Sequence, residues 1–92
     1  MDTDEFYQNL KESLKRSKDL PGNYIFKFIV LNNNKLLAEL QQIFDYSNPV
    51  YSTKLSKSNK YISLTVQVFA INEDYVIDFY KQAAKLKDLI ML

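Results

Sequence analysis

Residues 60–71 read KYISLTVQVFAI, an unbroken alternation that puts Ile62, Leu64, Val66, Val68 and Ala70 on one side of an extended chain. Tyr61, Ser63, Thr65, Gln67 and Phe69 fall on the other side. Successive side chains of a strand point to opposite faces, so this period predicts a central strand with one buried, aliphatic face.

The segments around it are placed by the same reasoning. VYSTKLSK (50–57) is a weaker, lysine-bearing strand, the composition of a sheet edge where lysine discourages pairing with other chains. Ser58 and Asn59 predict the hairpin tip between the two. YIFKFIVL (24–31) is aromatic and β-branched and predicts another strand. Lys27 shares a side with Ile25, Ile29 and Leu31, so Tyr24, Phe26, Phe28 and Val30 form its expected core face.

Two helices are predicted between and after these strands. In NNNKLLAELQQIF (32–44), Leu36, Leu37, Leu40, Ile43 and Phe44 lie along one side, with Asn33 or Asn34 as cap. Asn72 caps a second helix whose first turn carries Glu73 and Asp74, where acids meet the positive end of the dipole. Its stripe is Val76, Phe79, Tyr80, Ala83 and Leu86, and DLIML (88–92) follows as a short apolar strand.

A further helix leads the chain, from Asp2 to Ser17, with Phe6, Leu10 and Leu14 at four-residue spacing and Asp2 with Glu5 as a capping box. Pro21 in KDLPGN (18–23) ends the segment, and Gly22 is the residue free to take positive φ.

After that first helix the order is strand, helix, strand, strand, helix, strand. This predicts an α+β, ferredoxin-like domain: a four-stranded antiparallel sheet with two helices on one face. Residues 1–22 are then an extra N-terminal helix and turn, and 23–92 the domain. The face opposite the helices carries Ile25, Lys27, Ile29, Leu31, Tyr61, Thr65, Gln67 and Phe69, too apolar a set to be simply wet. It is the expected interaction surface, covered either by the leading helix or by a second copy of the chain.

Composition removes many functions. With no cysteine and no histidine, thiol chemistry, disulfides and Cys/His zinc sites are excluded. Twelve basic against eleven acidic residues leave a formal charge of +1, too little for long-range attraction to nucleic acid or anionic membrane. No apolar run reaches bilayer length, and the acidic MDTDEFYQNL is unlike a signal peptide, so a cytoplasmic location without membrane contact is expected.

The run KLSKSNKYISLTVQVFA (54–70) resembles the signature of the YbeD-like family of small bacterial proteins of unknown function. The matching hairpin positions are Lys54, Ser56, Asn59, Lys60, Tyr61 and Ser63, followed by Thr65. FKFIVL with Lys27 and the closing KLKDLIML are similar to that family's first strand and ending, so the resemblance spans about residues 24–92. It implies a fold similar to the ACT domains, regulatory modules that bind small metabolites, often amino acids, within larger enzymes, and it implies no enzymatic activity. Two departures stand out: VLNNNK replaces a glycine-bearing turn after the first strand, and Leu55 replaces a proline. Asparagine tolerates the left-handed backbone, so the turn is expected to form, without glycine's room for a ligand at the main chain.

Among sharper readings, Lys54, Lys57 and Lys60 form an anion-site candidate, weighed against plain edge protection. Tyr61 and Phe69 raise RNA stacking on the open sheet, but no RNP pattern accompanies them. Glu73, Asp74 and Asp78 have no base or metal partner in sequence, and Phe26, Phe28, Phe44, Phe79 and Tyr80 are core material first. The expected protein is a small non-enzymatic regulatory or protein-interaction module, without cofactor or metal. Its partner is another protein or a second copy in a homodimer, with a small-molecule effector also in view. Nucleic-acid binding through the open sheet is the alternative.

Overall fold

The computed structural model describes residues 3–86 and 89–91. Asp2 of the expected capping box, and Lys87, Asp88 and Leu92 of the closing segment, lie outside the described residues. Helix α1 runs Thr3–Ser17, strand β1 Gly22–Leu31, helix α2 Asn34–Phe44, strand β2 Val50–Leu55, strand β3 Tyr61–Ala70, helix α3 Glu73–Ala83 and strand β4 Leu89–Met91. A single 3-10 turn, Asp45–Ser47, follows α2. None of the described helices is long and apolar enough to cross a membrane.

Local chemistry accounts for most boundaries. Asn33 caps α2, its Oδ1 accepting from the backbone N–H of Lys35 at 2.9 Å and of Leu36 at 3.2 Å. Asn72 caps α3 by accepting from Tyr75 N at 3.0 Å. The turn from β1 to α2 uses no left-handed residue, since the positive-φ positions are Lys18, Asn48 and Asn59, so the missing glycine costs it nothing. The expected role of Gly22 is likewise corrected: Lys18, with φ 58°, takes the left-handed conformation beyond α1. Gly22 instead serves by its lack of a side chain, because a Cβ there would stand 2.6 Å from Asp19 O.

The strands follow the order β2-β3-β1-β4. β1 and β3 are antiparallel over their full length, from Gly22 opposite Ala70 to Leu31 opposite Tyr61. β2 joins β3 from Val50 opposite Gln67 to Leu55 opposite Ile62. β4 reaches β1 only from Phe28 opposite Met91 to Val30 opposite Leu89.

This arrangement corrects the expected architecture in two respects. The body of the sheet is the three-stranded antiparallel layer β1-β3-β2, to which β4 adds a three-residue ladder, not a fourth strand of comparable length. The leading helix is no appendage either, because α1 packs on α3 and the molecule is a three-helix layer on one sheet face. The stripe on α1 explains the second correction. Tyr7 is buried with Leu10 and Leu14 packed behind it, whereas Phe6 is 46% exposed. Positions 7, 10 and 14 are spaced as helically as 6, 10 and 14, and the aromatic residue that finds a partner surface on the core is Tyr7.

Between the layers lie Phe26, Phe28, Val30, Leu64, Val66, Val68, Phe44, Val76 and Phe79, all essentially inaccessible to solvent. Their aromatic rings form one cluster: Phe44 stacks on Phe79 at 4.5 Å between centroids, and Phe26 meets Phe44 at 5.1 Å and Tyr80 at 5.0 Å. Burying each such side chain stabilises the fold by roughly 1.5 to 3 kcal/mol. The even-numbered positions of β1 and β3 face this core, as their alternation predicted.

Candidate interaction face and hairpin groove

With all three helices on one side, the second face of the sheet is bare. The register sets its side chains in rows: Ile25 beside Gln67, Lys27 beside Thr65, Ile29 beside Ser63 and Leu31 beside Tyr61. Val50 and Lys54 extend the rows onto β2 through their pairing with Gln67 and Ser63. The sequence-predicted surface residues Ile25, Lys27, Ile29, Tyr61, Thr65, Gln67 and Phe69 are thus brought together on one plane, and none is buried. Phe69 is 60% exposed and Ile25 52%. The helix expected as a possible lid, α1, lies against α3 on the opposite side.

Charge is distributed unevenly in a way the net value conceals. Acidic residues occupy positions 2, 4, 5, 12, 19, 39, 45, 73, 74, 78 and 88. None of these falls in β1, β2, β3 or the loop joining β2 to β3. The same stretches carry Lys27, Lys54, Lys57 and Lys60. A chain of formal charge +1 therefore presents a sheet face with cations and no carboxylate of its own strands.

One end of the face is shaped by the hairpin Ser56–Lys60. Ser56 organises it: its N–H donates to Tyr61 O at 2.9 Å, its carbonyl accepts from Asn59 N at 3.0 Å, and its Oγ accepts from Tyr61 N at 3.1 Å. Asn59 takes φ 60°, a conformation asparagine adopts at less cost than most residues. Asn32, at the end of β1, then ties this hairpin to the β1–α2 junction: its N–H donates to Lys60 O and its side-chain amide to Asn59 O, both at 2.8 Å. Lys60 Nζ rests over the Tyr61 ring, 5.5 Å from its centroid. Of the signature positions, Ser56 and Asn59 thus build the turn, while Lys54, Tyr61 and Ser63 point to the open face.

Those residues border a groove of about 380 Å³. Ile29, Tyr61 and Ser63 line it from the central strands, and Lys54, Leu55, Ser56 and Lys57 from the edge strand and loop. Sequence reasoning found the lysines and missed the groove, because Ile29 enters it from a strand 25 residues before Lys54 in the chain.

The carboxylates weighed for catalysis do not converge. Asp74 pairs with Lys11 at 2.8 Å across α1 and α3, and Asp78 accepts from Gln82 Nε2 at 3.0 Å. The Lys11 hydrogen bond and charge hold the Asp74 carboxyl below its usual range. Phe26, Phe28, Phe44, Phe79 and Tyr80 are in the core.

Among known proteins, a family model described as "Protein of unknown function (DUF493)" matches residues 15–92. No curated protein and no solved structure matches the chain.

Proposed function

The chain belongs to the family described as Protein of unknown function (DUF493), and on that premise we propose that it is a small, non-enzymatic regulatory module that docks a protein partner on its open sheet face. The resemblance of its hairpin to the YbeD-like signature, and through it to ACT regulatory domains, favours the regulatory part of this reading. One observation carries the docking part: Ile25 and Phe69 stand exposed on a face bearing Lys27 and Lys54 and no acid on its strands.

Charge complementarity selects the partner. Two copies stacked through this face would bring their own Lys27 and Lys54 amines together in a desolvated interface with no counter-charge, which is costly. An acidic protein surface with apolar anchors meets the same face favourably. Nucleic acid would also meet the lysines, but base stacking calls for neighbouring aromatic platforms. Here Tyr61 and Phe69 lie eight residues apart on β3, about 26 Å at the rise of a strand, with aliphatic Ile25 and Ile29 alongside. That pattern suits protein side chains.

A photo-crosslinking residue at position 69, in cells of the source organism, tests this, with position 12 on α1 as control. Cross-links to an acidic protein that are lost in Lys27→Glu/Lys54→Glu are the expected result. Cross-links to RNA or to a second copy, or none above the control, would overturn it.

A further inference from the structure

We infer that the groove at the β2–β3 hairpin is a binding site for an anionic group carried on a small apolar body. Two features define the chemistry. Lys54 and Lys57 border the groove with exposed side chains, and neither has a carboxylate partner among the described residues. Ser63, also lining it, makes no side-chain hydrogen bond among those residues. A carboxylate or phosphate placed there would gain two charge-assisted donors and a hydroxyl, the arrangement that makes polar contacts strong. Ile29, Leu55 and Tyr61, which also line the groove, offer apolar contact to whatever bears the charge. At about 380 Å³ the groove falls in the range of small-ligand sites, within which a single aromatic acid or one anionic side chain fits.

The surroundings are pre-formed. Ser56 is held by its bonds to Tyr61 and Asn59, and the hairpin is tied to the β1–α2 junction through Asn32. The site shares Lys54 with the docking face, but Ile25 and Phe69, the exposed apolar anchors of that reading, lie toward the opposite end of β1 and β3, so shifts at the two ends tell the two apart.

Naphthoate is the probe, followed through the backbone amide resonances of the full chain, with neutral naphthylmethanol as the uncharged comparison. The expected result is saturable shifts at Ile29, Ser56, Tyr61 and Ser63, with naphthoate bound at least about tenfold more tightly than the alcohol, as one charge-assisted contact implies. Lys54→Glu/Lys57→Glu should weaken naphthoate by about the same factor or more without moving the melting temperature, both side chains being exposed. In a second arm, a peptide ending in a phenylalanine carboxylate competes with free naphthoate. Displacement by the peptide assigns the anion to a partner chain, and failure of the peptide assigns it to a free acid. Absence of saturation, shifts confined to the Ile25 and Phe69 end, equal binding of the alcohol, or indifference to the lysine changes would each overturn the site.

Discussion

Asn32 and Asn59, 27 positions apart, are joined by a 2.8 Å hydrogen bond from the Asn32 side-chain amide to the Asn59 carbonyl, which fastens the β2–β3 hairpin to the end of β1. The bond is exposed, so its contribution is modest, and Asn32→Ala should cost about 1 kcal/mol. Its clearer consequence is local: hydrogen exchange at Lys60 and Tyr61 should accelerate in Asn32→Ala while the amides of β1 facing Val66 and Val68 keep their protection. Uniform acceleration would show that the hairpin is not a separable unit.

Asn59 has φ 60°, which glycine accepts freely and a β-branched residue resists. Asn59→Gly should leave denaturant stability within a few tenths of a kcal/mol of the original, and Asn59→Val should lower it by roughly 1 to 2 kcal/mol. Equal stability of the two variants would contradict the left-handed assignment.

The two faces of β3 should answer mutation in opposite ways. Val66 is fully buried beneath the helices, and Val66→Asp places an unpaired charge among Phe26, Phe28 and Phe44, which should abolish cooperative unfolding. Phe69→Ser, on the bare face, should stay within about 0.5 kcal/mol of the original. A folded Val66→Asp protein would mean that the faces are exchanged.

Tyr7 sits in the core with the Lys81 amine 5.4 Å from its ring centroid, whereas Lys11 and Asp74 form an ion pair at the surface of the same seam. Tyr7→Ala should therefore destabilise by about 2 to 4 kcal/mol. Lys11→Gln should leave the melting temperature almost unmoved, because exposed pairs are well screened. The reverse ranking would show that charge, not packing, holds α1 to α3.

Burial, reinforced by the 3.2 Å hydroxyl contact with Tyr24, raises the Tyr80 pKa above its usual value of about 10. Burial and the 2.7 Å contact with Asp45 do the same for Tyr51. In the unfolded chain both phenols ionise near pH 10, while the folded state keeps them protonated. The stability they contribute is whole below that pH and falls as pH rises through it toward the folded values. Chemical denaturation midpoints should hold steady up to about pH 9 and decline above about pH 10, less steeply in Tyr80→Phe. An alkaline slope unchanged in Tyr80→Phe would remove this residue from the account.

Much of this protein is set by short-range chemistry. The alternation from Tyr61 to Ala70 marks a strand and its buried side because the period of two is a property of the extended backbone itself. Asn33 and Asn72 start helices because each side chain reaches donors only two or three residues ahead. The open-face residues were legible for the same reason, since once one side of a strand is buried its odd positions must share the other. What the sequence left undecided depends on surfaces that meet only on folding. An amphipathic stripe states that α1 must bury one side, not that α3 and the core behind Tyr7 would receive it, nor that Phe6 would be left out. The length of β4's pairing, the bond from Asn32 to Asn59 and the groove between Ile29 and Lys54 arise from register and juxtaposition across many residues. No local period encodes them, so only the tertiary structure could bring them into being.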